Sequence, residues 1–425
     1  MSSTIILTLI ILIIGFALFI SEIFPLPVSA MLVVLAYAAT GIITFPNAFA
    51  GFSNDLTMLI IGAMIVGLAM AETGATTWLG VKVVKLVGDN EKKLLLVMMI
   101  LSAAVSMFMA NSGVMAMMMP LIAAVSAASN GKVKAKHLSL PIGIAVMIGG
   151  GSSLVGSTSQ LVPQGILTDG GYRPFSMFEL GLAGLPALII LIVYFMTFGY
   201  KILCKSTEKI PDPDYGEKAG SGLEDVKFTK QMGLVFAALI FMILGFIFKV
   251  FTNGAVAILA GSFCICTKCI TAKKAFSKLG WGPVITIAAC LGIAKALNNS
   301  GTAEYLADAM VGALGDKPSA FLILLAVGLF TLIIGNLMSH TPALTVLATV
   351  FIPLAVKLKM DPTLFAFALT SFNTLSFSTP LVASSFSMTL ADGYSFKDYI
   401  INGIIPNVLC MIMVIAVTLI RMGIA

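Results

Sequence analysis

Two apolar stretches, each too long for one membrane crossing and polar at its centre, restrict this chain more than any other feature. Residues 93–128 and 319–358 run for 36 and 40 residues, whereas a spanning helix takes about 20. In the second stretch, Ile334–Leu344 reads IGNLMSHTPAL and sets Asn336, Ser339, His340, Thr341 and Pro342 between FLILLAVGLFTLI and TVLATVFIPLAV. In the first, Ala110-Asn111-Ser112 stands at the same place. An unpaired polar group in hydrocarbon costs several kcal/mol, so such a centre belongs to backbone that folds back inside a protein-lined cavity. Each stretch is therefore expected to be a re-entrant hairpin with its tip at a functional site.

Only 10% of the 425 residues are charged and 59% are hydrophobic, against about 25% charged in a soluble domain. The chain reads as an all-α polytopic membrane protein whose immediate partner is the lipid bilayer. Its net charge of +6 comes from lysines in short loops, where they set orientation, and gives no reason to expect a nucleic-acid partner. The first apolar segment opens at Thr4 with no basic residue before it and reads as a retained helix, not a signal peptide. Cys264, Cys266 and Cys269 form a CxCxxC-like group at a helix end and read as apolar fillers. No other cofactor motif is present.

Apolar segments fall at 5–21, 27–43, 57–73, amphipathic 75–90, long 93–128, 138–167 and 178–200. A polar linker occupies 204–230, and the order begins again: 231–249, 255–270, 282–297, amphipathic 302–315, long 319–358, 364–390 and 398–420. In each half the segment after the hairpin is interrupted, by GGGSSLVGSTSQLVPQG (149–165) and by SFNTLSFSTPLVASSF (371–386). The expected fold is two inverted-topology repeats, 1–203 and 231–425. Each has five transmembrane segments, one re-entrant hairpin and one broken helix. With both termini outside, the loops predicted to be cytoplasmic (80–93, 131–137, 201–230, 268–280, 391–397) hold 18 of the 25 basic residues, as the positive-inside rule requires.

Inverted repeats with broken helices are the build of secondary transporters, with the site where the interruptions meet. Freed helix-start N–H groups attract anions and freed carbonyls attract Na⁺. The four breaks, at 106–113, 149–160, 336–342 and 373–380, contain no Asp or Glu. That favours an anionic substrate, which a buried carboxylate would repel. Lys295 reads as an interface anchor, His137 as a solvated loop residue, and Met115–Met119 as packing.

The sequence resembles the divalent anion:sodium symporter family, which transports citrate, dicarboxylates and sulfate and belongs to a wider ion transporter superfamily. The blocks SEIFPLPVSAMLVVLAYAATGIIT (21–44), AFAGFSNDLTMLIIGAMIVGLAMAETGA (48–75), GGGSSLVGSTSQLV (149–162) and GYSFKDYIINGIIPNVL (393–409) carry the resemblance nearly end to end. It implies a homodimer in the cytoplasmic membrane with scaffold helices 1–92 and 231–316. Transport elements 93–203 and 317–425 would move as an elevator. By position, substrate would meet Asn111, Ser112, Ser157, Thr158, Ser339, Thr341, Thr379 and Pro380. Na⁺, the implied coupling ion, would meet Ser106, Asn111, Gly149 and Gly156 at one site, and His340 and Ser378 at a second.

The family's Ser-Asn-Thr triplet at each hairpin tip reads Ala110-Asn111-Ser112 and Ser339-His340-Thr341 here. An imidazole cannot replace an amide oxygen toward Na⁺, which weighs against the second cation site. Thr341 lies twelve residues before Pro353, against eight from Ser112 to Pro120, so the second return arm is expected to be one turn longer. The expected activity is secondary transport of a small organic di- or tricarboxylate, coupled to Na⁺ or to anion exchange. Alternatives are an inorganic oxyanion transporter, a cation or proton antiporter, a passive channel and an intramembrane enzyme. The enzyme lacks HExxH, GxSxG and paired membrane aspartates.

Overall fold

The computed structural model describes residues 2–21, 23–87, 90–129, 132–211, 227–306, 308 and 319–423, and all regular structure among them is helical. Residues 212–226 of the expected linker (204–230) and most of the expected amphipathic segment 302–315 lie outside the described residues. Counting helices of more than eight residues, the first half contains α1 (Ser3–Ser21), α2 (Leu26–Ala39), α3 (Asp55–Glu72), α4 (Ala75–Val87), α5 (Glu91–Ser106), α6 (Asn111–Ala128), α7 (Ala135–Gly151), α8 (Leu161–Asp169) and α9 (Gly181–Ser206). The second contains α10 (Lys230–Phe248), α11 (Asn253–Cys266), α12 (Trp281–Asn299), α13 (Ala320–Leu337), α14 (His340–Lys357), α15 (Pro362–Thr374) and α16 (Phe396–Arg421). Seven helices among the described residues are long and apolar enough to cross a membrane.

Local chemistry sets the helix starts at the ends of the bundle. Asn54, Asn90, Thr229, Thr252, Ser319 and Asp361 each cap the helix that follows with a side-chain oxygen, which satisfies one of its orphan donors. Packing then sorts the helices by depth. Every residue of α7 is buried, as is every residue of α15 from Thr363 onward; a helix apolar all round belongs in the middle of a bundle. By contrast, α1 leaves Ile6, Ile10, Ile13 and Ile14 exposed. Helices α3 and α11 cross so closely that a Cβ at Gly62 would overlap the backbone of Ala257. Small residues at the crossing permit that approach.

The two long apolar stretches each fold as a helix pair joined by a short break, α5–α6 and α13–α14. Both return arms are 18 residues long. The extra turn expected of the second is absent: Pro353 sits deeper inside an arm of equal length, because proline tolerated within a helix does not fix its end.

Polar contacts gather the loops at two faces. At one, Glu91 accepts from the Lys134 N–H at 2.8 Å and meets His137 Nδ1 at 3.1 Å and the Tyr200 hydroxyl. Lys136 Nζ donates to the Ile210 carbonyl at 2.5 Å, Asn402 donates to Ser206 at 2.9 Å, and Glu72 pairs with Lys274 and Lys278. At the other face, the Gly254 N–H donates to Asp55 at 3.0 Å and Lys357 pairs with Glu304 and Asp308. Arg173 and Arg421, the two arginines of the chain, both end on Glu179 there, Arg173 as a two-pronged pair at 2.9 and 2.7 Å. Thr363 donates to the Arg173 carbonyl at 2.7 Å. Each of these bonds joins segment ends or loops that the sequence reading expects on one side. His137 corrects the sequence reading: it is buried against Glu91 rather than solvated, because a partner 46 residues away in sequence shields it.

Candidate functional site

Four chain breaks meet at one cavity. The first helix pair breaks after Ser106 and resumes at Asn111, and the second breaks after Leu337 and resumes at His340. The two buried helices stop at Gly151 and Thr374. Beyond each, a segment of turns and short helical pieces carries a similar local sequence: Leu154-Val155-Gly156-Ser157-Thr158 in one half and Leu381-Val382-Ala383-Ser384-Ser385 in the other. A cavity of about 330 Å³ is lined by Ala110–Ser112, Val155–Thr158, Ser339–Thr341 and Val382–Ser385. Its remaining wall is Ile60, Ala63 and Met64 of α3, with Gly280 and Pro283 at the start of α12.

No charged side chain lines this wall. Helices α6 and α14 both begin on it, and neither has a side-chain cap at its N-cap residue, Ala110 or Ser339. The first backbone donors with helical partners are those of Gly113 and Ala343, so the N–H groups of Asn111, Ser112, His340 and Thr341 are unengaged among the described residues; Pro342 has none. Two helix starts thus aim partial positive charge into a neutral, hydroxyl-rich space. Ser385 adds a buried hydroxyl without a partner among the described residues.

At the first tip, Ser106 Oγ donates to Asn111 Oδ1 at 2.7 Å. A Cβ at Gly150 would overlap Asn111 Oδ1, and one at Gly156 would overlap the Ser106 carbonyl. Amide, hydroxyl and carbonyl oxygens are therefore brought together by glycines that allow the approach, and hard oxygen donors of this kind suit an alkali cation. Gly149 backs onto Ala103 of α5 instead and serves the helix crossing.

The second tip differs. Nε2 of His340 lies 2.9 Å from Ser376 Oγ, and Asn373 Nδ2 donates to the His340 carbonyl at 3.0 Å. Ser378 belongs to another network: its N–H donates to Asn336 Oδ1 at 2.7 Å and its hydroxyl accepts from Asn407 at 2.6 Å. Thr379 donates to the Asn336 carbonyl, and neither it nor Pro380 lines the cavity. The structure thus brings Asn111, Ser112, Ser157, Thr158, Ser339, His340 and Thr341 together at the cavity, whereas Ser378, Thr379 and Pro380 do not line it. Ala383, Ser384 and Ser385 line it instead. The repeated LVGST and LVASS strings were the available signal for that register.

A helical bundle with candidate spans and a polar cavity at four helix breaks is the build of a membrane transporter. The chain belongs to the citrate transporter family (CitMHS), whose profile matches residues 16–370. It is 24% identical to an uncharacterized transporter of Haemophilus influenzae over 93% of this chain and 87% of the relative. It is 23% identical to the sodium-dependent dicarboxylate transporter SdcS of Staphylococcus saprophyticus, over 68% of this chain and 61% of SdcS. With the uncharacterized transporter YfbS of Escherichia coli it shares 30% identity over 173 residues, 41% of this chain and 28% of YfbS. The chain therefore spans less than two thirds of YfbS and of SdcS. The fold is shared with the Alcanivorax borkumensis YdaH transporter (TM-score 0.58, 14% identity, 92% of this chain and 89% of YdaH). It is likewise shared with Neisseria gonorrhoeae MtrF, of a class of antimetabolite efflux pumps (TM-score 0.62, 14% identity, 88% and 83%).

Proposed function

We propose that this protein is a secondary transporter of a small organic dianion, a di- or tricarboxylate, coupled to Na⁺ or to anion exchange. The observation that carries the reading is the neutral cavity onto which α6 and α14 both start with uncapped N–H groups. Two such helix starts can hold two carboxylates without a basic side chain, so the bound anion is retained by dipoles and remains free to leave. The first tip supplies oxygens for one Na⁺ from Ser106, Asn111 and the backbone near Gly150 and Gly156. The sodium dependence named for SdcS supports this coupling.

The cavity lies between α3 and α12 on one side and the breaks on the other. This arrangement supports a scaffold of 1–92 and 231–316 facing transport elements 93–203 and 317–425 that move as an elevator, in two inverted repeats joined by the linker. The two sets of loop contacts support α5–α6 opening to one face and α13–α14 to the other. In the proposed orientation the lysine-rich face is cytoplasmic, both termini are outside, and the transporter is a homodimer of the cytoplasmic membrane.

The deciding experiment is counterflow in proteoliposomes with succinate, malate, 2-oxoglutarate, citrate and sulfate, each with Na⁺ or choline. A carboxylate dianion should exchange, and Asn111→Ala and Thr341→Ala should each abolish the signal. Wild-type rates in both variants would remove the site from this cavity, and equal rates in choline would replace Na⁺ coupling by exchange.

A further inference from the structure

At the Glu91 face, the end of α9 and the start of α16 frame a second cavity of about 640 Å³ that the transport reading does not use. Lys205, Lys209 and Lys397 line it together with Glu208 and Asp398. Asp398 is already engaged: its carboxylate accepts from the Ser395 N–H at 2.8 Å and the Ser395 hydroxyl at 2.6 Å, closing the α16 capping box. The three lysines make no ion pair among the described residues. Three ammonium groups against two carboxylates leave one net positive charge, the complement of one phosphodiester.

The place is as telling as the charge. Lys205 is in the last turn of α9 and Lys397 in the first turn of α16, so the cavity lies at the ends of two candidate spans. From its mouth a ridge of exposed apolar side chains runs along α16 at four-residue spacing, Phe396, Ile400, Ile404, Val408 and Ile412, which places them in one row of the helix surface. A basic pocket at the headgroup level that continues into an apolar track matches a molecule with one phosphate and long acyl chains. We propose that this cavity binds the headgroup of an anionic phospholipid, with its chains lying on the α16 ridge.

The test is native mass spectrometry of the full chain released from nanodiscs of phosphatidylcholine doped with phosphatidylglycerol. The wild type should retain phosphatidylglycerol in preference to phosphatidylcholine. The Lys205→Ala/Lys209→Ala/Lys397→Ala variant should retain at least about tenfold less, while Lys227→Ala/Lys230→Ala, on the same face, should match the wild type. The corresponding triple Arg variant should recover retention and so separates lost charge from lost folding. Equal retention by the wild type and the triple Ala variant would overturn the proposal. So would thermal stabilisation of the detergent-solubilised wild type by glycerol 1-phosphate or inorganic phosphate as large as that by phosphatidylglycerol, which would assign the cavity to a soluble anion.

Discussion

The imidazole of His340 stands where Asn111 stands at the other tip: each is the first residue of the return arm and each meets a serine hydroxyl, Ser376 at 2.9 Å for His340 and Ser106 at 2.7 Å for Asn111. The bonded atoms differ in kind. Asn111 offers an oxygen that a cation can share, whereas Nε2 of His340 is a nitrogen already committed to Ser376, and the nearby Asn373 Oδ1 is buried without a partner among the described residues. His340→Asn should therefore add an oxygen donor at the second tip. The expected outcome is a steeper Na⁺ dependence of uptake, with the Hill coefficient rising from about one toward two. An unchanged slope would show that the second tip takes no part in cation coupling.

Glycine spacing at the first tip can be tested without changing a polar group. A methyl at Gly156 meets the Ser106 carbonyl, which is backbone, and one at Gly150 meets Asn111 Oδ1, which the Ser106 hydroxyl holds in place. Gly150→Ala and Gly156→Ala should each lower uptake by about a hundredfold or more, since misplacing a binding group by about 1 Å has effects of this size. A Cβ at Gly113 meets nothing nearer than Met109 Cε at 3.9 Å, so Gly113→Ala should transport normally.

The register of the second wall gives another contrast. Ser384→Ala and Ser385→Ala should each raise KM for the transported anion about fivefold, the worth of one hydrogen bond of about 1 kcal/mol. Thr379→Ala removes the bond to the Asn336 carbonyl and should lower thermal stability while leaving KM unchanged. The reverse pattern would restore Thr379 to the site.

Acid stability should report Glu179. Burial pushes its carboxyl up, but Arg173, the Ser176 N–H and Arg421 more than offset this and hold it at about 2. A carboxyl with a depressed folded-state pKa stabilises the fold above its unfolded value, near 4.3, and loses that contribution as pH falls toward 2. About 2 kcal/mol should disappear over that window, less than the full shift implies because the Arg173 side chain is 55% exposed and screened. Glu179→Gln should remove this pH dependence from the unfolding midpoint.

Much of this site was legible because polar residues inside apolar runs are expensive and must have a reason. All four breaks fall where Asn111, Gly149–Gly156, Ser339-His340 and Thr374–Thr379 interrupt hydrophobic sequence. What sequence could not supply was register beyond a break. Thr379-Pro380 has the look of a helix start, with proline at the first position, yet the chain makes only a single turn at Pro380–Val382 before reaching the cavity at Val382–Ser385. The polar atoms near Thr379 are consumed by Asn336 and Asn407 from distant helices. His137 was misread for the same reason. Its partner Glu91 is a neighbour only after folding.

The doubled wall has a consequence for how cargo can lie. Val155–Thr158 and Val382–Ser385 line one cavity with near copies of one sequence, so on the proposed transport reading a molecule with two like ends should find two alternative poses, head for tail. Five differences break that equivalence: Gly156 against Ala383, Thr158 against Ser385, Ala110 against Ser339, Asn111 against His340 and Ser112 against Thr341. On the proposed transport reading, a cargo with unlike ends should then load in one direction, set by those five pairs.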